Sequence, residues 1–252
     1  MNRSSSSKPP LILGLAGRKK SGKTTVGDYL HQHWGFQLMA FAAPLKSKIW
    51  TLFQVSTNVL HGHPDLRDRT KVPLRSQSFY ESVLRRADHH LSTELSTELP
   101  VDDFKTALTA WRNRMLQEDR DPTVRETLQW FGTDWAQTHN QLVWTSPTIQ
   151  QALAELQTPS VHKAWTGRPV AITDVRFIHE AKAIIVAGGK VWWMEPEGRL
   201  PPKQTSQDHH SSEPDRERFK GMISFDVRTS EPITETPNRV KAALLLDLGV
   251  QP

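Results

Sequence analysis

The run Gly17-Arg18-Lys19-Lys20-Ser21-Gly22-Lys23-Thr24 sets two glycines, a lysine and a hydroxyl at the spacing G-x-x-x-x-G-K-[ST]. That spacing suits the holding of a phosphate chain. Glycines let backbone N–H groups close round an anion, and a helix starting beside them aims its positive end at the same point. Lys23 would reach the outer phosphates, and the hydroxyl of Thr24 would hold Mg2+. The residues expected at the nucleotide phosphates are Gly17, Lys20, Ser21, Gly22, Lys23, Thr24 and Thr25.

Phosphoryl transfer depends on positioning and charge neutralisation more than on covalent chemistry. A hydroxyl acceptor calls for a general base. A phosphate acceptor, with a second pKa of about 6, is already largely ionised at neutral pH and calls for cations instead. Candidate cations stand near expected strand ends and helix starts. Lys46 comes in the turn after the strand that ends at Phe41, and Arg125 lies in the first turn of a helix, where the dipole does not favour a cation. Arg176 follows Asp174 by two residues. Asp174 ends an apolar strand, a place for an acid that orients Mg2+ or a substrate group, or that caps the next helix.

The elements that must position these residues are legible in outline. Leu11–Ala16 is a short apolar run, as in a buried parallel strand. From Thr24 the pattern switches to helical spacing, with Val26, Leu30 and Trp34 on one face. A second strand is expected at Phe36–Phe41 and a helix at Ala42–Gln54. Residues 55–122 change character and read as an insertion of helices and loops, with a short echo at Leu91–Glu98. Asp121-Pro122-Thr123 opens a helix expected over Val124–His139, and another is expected over Pro147–Leu156. A strand at Pro169–Asp174, a helix at Ile178–Val186 ended by Gly188-Gly189, and a strand at Val191–Met194 follow. Residues 196–222, rich in proline, charge and histidine, suit a lid. Ile223–Val227 reads as an edge strand, and Thr236 opens a closing helix. Alternating strands and helices imply a three-layer α/β fold with a parallel sheet, spanning 11–250 after a Ser-rich disordered tail at 1–10. Ligands in such sheets bind beyond the carboxyl ends of the strands.

Composition narrows the field. The 252 residues carry a net charge of +5, compatible with a nucleotide or with nucleic acid. The basic residues are dispersed and no aromatic-basic RNA motif occurs, so no stable nucleic-acid complex is expected. There is no cysteine, which excludes disulfides, thiolate metal sites and cysteine nucleophiles and is compatible with a reducing compartment. No apolar run approaches the roughly 18 residues that cross a bilayer, so a soluble cytoplasmic protein without a membrane partner is expected. Nine tryptophans point to packing before base stacking. The histidine pairs lack zinc-site spacing, and no N-K-x-D motif supports a GTPase. No heptads or apolar stripe fix the oligomeric state, and a homodimer is left open.

Taken in order, the loop, Phe41–Lys46, Arg125–Asp134, the D-V-R-F-x-x-E-A block at Asp174–Ala181 and the D-x-H-x-S-E block at Asp208–Glu213 resemble the bacteriophage deoxynucleoside monophosphate kinases. The resemblance implies an adenylate-kinase-like P-loop fold that transfers the γ-phosphate of ATP to a deoxynucleoside monophosphate with Mg2+, in host cytoplasm if the protein is viral. It implies Lys23, Asp174 and Arg176 as catalytic residues and Thr24 and Asp174 as metal ligands. The acceptor would meet Lys46, Arg125, Gln129, Trp130, Asp174, Arg176 and Glu180, with Trp130 equally readable as core. The lid would contribute Arg199, Asp208, His210, Ser212, Glu213 and Arg216. Two departures stand out. Thr24 replaces an Asp common in relatives, and Gln137 and His139 stand where an Arg often follows Asp134. A P-loop kinase for another small metabolite and a nucleic-acid-dependent ATPase are the competing readings.

Overall fold

A computed structural model describes residues 11–93, 99–197, 216–229 and 235–250. Helices and strands alternate from the start: β1 is Ile12–Ala16, α1 is Lys23–Trp34 and β2 is Gln37–Met39. A run of helices comes next: α2 (Ala42–Phe53), α3 (Thr57–His61), α4 (Pro64–Arg69), α5 (Gln77–Thr93), α6 (Val101–Gln117) and α7 (Val124–Gln129). A π-helical stretch at Trp130–Ala136 leads into α8 (Gln137–His139). Alternation then resumes with α9 (Thr145–Leu156), β3 (Val170–Val175), α10 (Ile178–Val186), β4 (Lys190–Pro196), α11 (Arg216–Phe219), β5 (Ile223–Thr229) and α12 (Thr236–Leu248). The chain divides into two compact units. One is built from the residues up to Phe41 and from Thr145 on, the other is Ala42–Trp144. The stretch 55–122 lies inside the second.

The first unit is organised by one sheet. Its five strands are all parallel, in the order β2-β3-β1-β4-β5. β1 is central and fully buried, as its unbroken apolar run requires. Its side chains alternate between the two faces. Leu13 and Leu15 pack with Val26, Leu30 and Trp34 of α1 and with Val240, Ala243 and Leu244 of α12. Ile12 and Ala16 face the other way, with Ala152 of α9 and Ala181 and Ile184 of α10. The result is three layers, the expected α/β architecture of a P-loop kinase. Burying about ten large aliphatic and aromatic side chains on each face, at ~1.5–3 kcal/mol apiece, makes this sheet the rigid base of everything mounted at its carboxyl edge.

The pairing of β1 with β3 slips by one residue between Gly14 and Ala16: Gly14 lies opposite Ile172, whereas Ala16 lies opposite Val175. β3 thus carries an extra residue around Thr173 and Asp174, as in a bulge. Ile172 and Val175, three apart, both join the same core cluster, and regular alternation would not allow that.

The Ala42–Trp144 unit is held by an aromatic core. Phe53, Phe104, Phe131, Trp135 and Trp144 are buried together with Ile49, Leu52, Leu74, Val83 and Leu108. Phe131 stacks on Trp135 and meets Phe104 edge-on. The Trp144 indole N–H donates to the Gly132 carbonyl at 3.0 Å, satisfying a carbonyl within the π-helical stretch.

Candidate active site

The phosphate loop joins the buried end of β1 to α1. Its backbone takes conformations that glycine supplies: Gly17 has φ 144° and Gly22 φ 84°. Space imposes the same choice. A Cβ on Gly17 would lie 2.6 Å from Ser21 Oγ and 2.8 Å from the Met194 carbonyl of β4. Lys20, although not glycine, also adopts positive φ, 63°. Gly22 is the N-cap of α1, and its carbonyl accepts the Val26 N–H at 3.0 Å. Lys23 folds back over the loop, its ammonium donating to the carbonyls of Gly17 at 2.6 Å and Arg18 at 2.7 Å and to Ser21 Oγ at 3.3 Å. The loop therefore gathers a cation and the N-terminus of α1 at one place, the combination that suits a polyphosphate. Thr24 is exposed on the first turn of α1, and Thr25 is half-buried beside it.

The carboxyl end of β3 carries the second group. Asp174 Oδ1 accepts the Phe41 N–H at 2.7 Å. This bond ties the chain leaving β2 to the bulged end of β3 and fixes the carboxylate. Arg176, two residues on, is exposed. Its backbone N–H, and that of Phe177, donate to one oxygen of Glu180, Oε2, at 2.7 and 2.9 Å. Glu180 is only 5% exposed. Burial, reinforced by the nearby Asp174 charge, pushes its carboxyl up to about 8, against the pull of the two backbone N–H groups and Arg176. Glu180 thus holds the turn that carries Asp174 and Arg176 by its backbone, in the manner of the third-position acid of a helical capping box. His179, beside it, stacks on the Phe177 ring at 5.2 Å, and burial lowers its pKa.

The remaining expected residues lie in the Ala42–Trp144 unit or at the far end of the chain. Lys46 sits within α2, not in a turn ahead of it, because helix formation begins at once after Phe41. It lies near enough to His61 to help depress that histidine's pKa, behind burial and ahead of Arg67. Arg125 is in the first turn of α7, and its guanidinium grips Asp68 of α4 through Nε and, at 3.0 Å, through Nη2. That bond is the main reason its pKa is raised. Gln129 closes α7. Trp130 stacks face to face on Trp111, with centroids 4.3 Å apart and planes 8° apart. Arg216 binds Asp226 of β5 at 2.8 Å, and Phe219, three residues on, is buried against Trp193. Arg199, Asp208, His210, Ser212 and Glu213 lie outside the described residues.

The structure thus brings the phosphate loop, Asp174, Arg176 and Glu180 to the carboxyl edge of one sheet, at neighbouring strands β1 and β3. Residues 11–217 match the deoxynucleotide monophosphate kinase family. The chain belongs to that family. Kinases are phosphotransferases, enzymes that move a phosphoryl group from one molecule to another. A protein of Acanthamoeba polyphaga mimivirus named "Putative deoxynucleotide monophosphate kinase" is 38% identical over 58 residues. That match covers 23% of this chain and 30% of the viral protein. No described helix is long and apolar enough to cross a membrane.

Proposed function

We propose that the protein transfers the γ-phosphate of ATP to a deoxynucleoside monophosphate, giving the diphosphate. The observation that carries this reading is the loop itself, a glycine-shaped turn that holds the Lys23 ammonium at the switch point of a parallel sheet, with Asp174 and Arg176 at the adjacent strand end. Gly17, Lys20, Ser21, Gly22, Lys23 and Thr25 surround the ATP phosphates. Thr24 and Asp174 would hold Mg2+, which when bound neutralises phosphate charge. Lys23 supplies a point charge to the bridging and transferring oxygens. Arg176 presents a planar fork to the acceptor's phosphate, and the acceptor, already ionised, needs no general base. Lys46, Arg125, Gln129 and Trp130, all in the Ala42–Trp144 unit, are proposed as acceptor contacts. The reaction is cytoplasmic, and the partners are the nucleotides.

The test is Arg176→Ala, assayed by chromatographic separation of deoxynucleoside monophosphate from diphosphate. Loss of a charge contact made in the transition state predicts at least about a 100-fold fall in kcat. Turnover within about threefold of wild type would remove Arg176 from the transfer step.

A further inference from the structure

The carboxyl end of β5 closes on the phosphate loop. Thr229 Oγ1 donates to the Ser21 carbonyl at 3.0 Å, across 208 residues of chain. Its Cβ and methyl stand against Gly22, where an added Cβ would lie 2.9 Å from Thr229 Cγ2 and 3.0 Å from its Cβ. The Thr229 backbone is itself anchored. It lies opposite Pro196 in the β4–β5 ladder, and its carbonyl accepts the Glu197 N–H at 2.8 Å. Ser21 is 1% exposed, so a carbonyl there has little recourse to water.

The Ser21 carbonyl lies one residue ahead of the N-cap, and the first rung of α1 uses the carbonyl of Gly22 instead. The bond from Thr229 therefore does not compete with the helix. It sets the plane of the Ser21–Gly22 peptide. In a planar trans peptide the C=O and N–H point in opposite directions. Drawing the Ser21 oxygen toward β5 turns the Gly22 N–H away from β5, into the loop where an anion is bound by such groups.

We propose that Thr229 is a positioning residue for the nucleotide: its hydroxyl orients the Ser21–Gly22 peptide so that the Gly22 N–H faces the phosphate chain. Thr229 lies past the family match, which ends at residue 217. The proposal rests on the reading of the loop as an ATP site.

Binding of ATP with Mg2+, measured by titration calorimetry without any acceptor, tests it. Thr229→Val keeps the shape against Gly22 and removes the hydroxyl, whereas Thr229→Ser keeps the hydroxyl. The valine variant is expected to bind ATP about 5- to 10-fold more weakly, the scale of one hydrogen bond, and to melt about 2–8 °C lower because the buried Ser21 carbonyl is left without its partner. The serine variant is expected to stay within about twofold of wild type. If the valine variant fails to fold, Thr229→Ala against Thr229→Ser isolates the hydroxyl in the same way. Equal affinity in hydroxyl-bearing and hydroxyl-lacking variants would overturn the role of Thr229 while leaving the ATP site intact. Absence of ATP binding by wild type would overturn the ATP reading and the proposal with it.

Discussion

Glu180 sets two opposing effects against each other, and a pH series decides between them. Two backbone N–H groups favour the ionised carboxylate, while burial at 5% exposure and the neighbouring Asp174 charge favour the neutral acid. With the folded pKa at about 8 and the unfolded value at 4.5, burial wins. The folded state then holds a proton between those values that the unfolded state has released. The contribution of Glu180 to stability is full below the unfolded pKa and is lost as pH rises through the folded one. Each pH unit inside the window costs about 1.4 kcal/mol, so the span from pH 5.5 to 7.5 costs on the order of 3 kcal/mol. In a chain of this size that is a fall of roughly 5–10 °C in melting temperature. Glu180→Gln mimics the neutral acid, because its single amide oxygen can accept both N–H groups as Oε2 does. Thermal melts of wild type and Glu180→Gln should therefore agree near pH 4.5 and diverge as pH rises, with the glutamine variant the more stable at pH 8. Taking the difference cancels every other titrating group. Glu180→Ala should lose stability at acid and neutral pH, by about 1–3 kcal/mol for two part-buried hydrogen bonds removed. A wild-type-minus-Gln difference that is flat across the window, or that grows in favour of wild type, would show that the hydrogen bonds prevail and that Glu180 is ionised in the folded protein.

Arg125 and Asp68 form a half-exposed pair, with side chains 38% and 46% exposed, so the pair itself is worth no more than about 1 kcal/mol. Arg125→Ala should barely move the melting temperature yet raise KM for the acceptor about 10-fold or more, with KM for ATP unchanged; an unchanged acceptor KM would leave Arg125 as a strut between α4 and α7. Trp130→Ala should destabilise the Ala42–Trp144 unit by about 3 kcal/mol through loss of the Trp111 stack, and Trp130→Phe should restore most of it, both read by chemical denaturation. Equal stability of the alanine variant and wild type would free Trp130 from a packing role.

Local patterns carried much of the fold. The apolar run of β1, the helical spacing of α1 and the Gly188-Gly189 stop after α10 all stand where their residues place them, and alternation was enough to give a parallel sheet with helices on both faces. What was not legible depends on partners distant in sequence. The expected strand Phe36–Phe41 shrinks to Gln37–Met39, because the Phe41 N–H goes to the Asp174 side chain rather than to a ladder. The single helix expected over Val124–His139 widens into a π-helical stretch at Trp130–Ala136, where four aromatic rings pack and the Trp144 indole bonds the Gly132 carbonyl. Period-3.6 spacing does not distinguish that from an α-helix. The slip in β3 beside Asp174 needs the register of β1 to be seen. In the site, the loop was legible because its spacing is its chemistry. Thr229 was not, since a lone threonine 208 residues away carries no motif. For Glu180 a signal existed, an acid at the third position of a helix, and it points to backbone capping as well as to substrate.

The proposed reaction is transfer from ATP to a deoxynucleoside monophosphate through the loop that Lys23 occupies. It is tested most directly by ADP release from ATP and Mg2+ against a panel of deoxy- and ribonucleoside monophosphates, with Lys23→Ala in parallel. Release should require a deoxynucleoside monophosphate and disappear in the alanine variant. Release that ignores every monophosphate, or that survives the loss of Lys23, would contradict it.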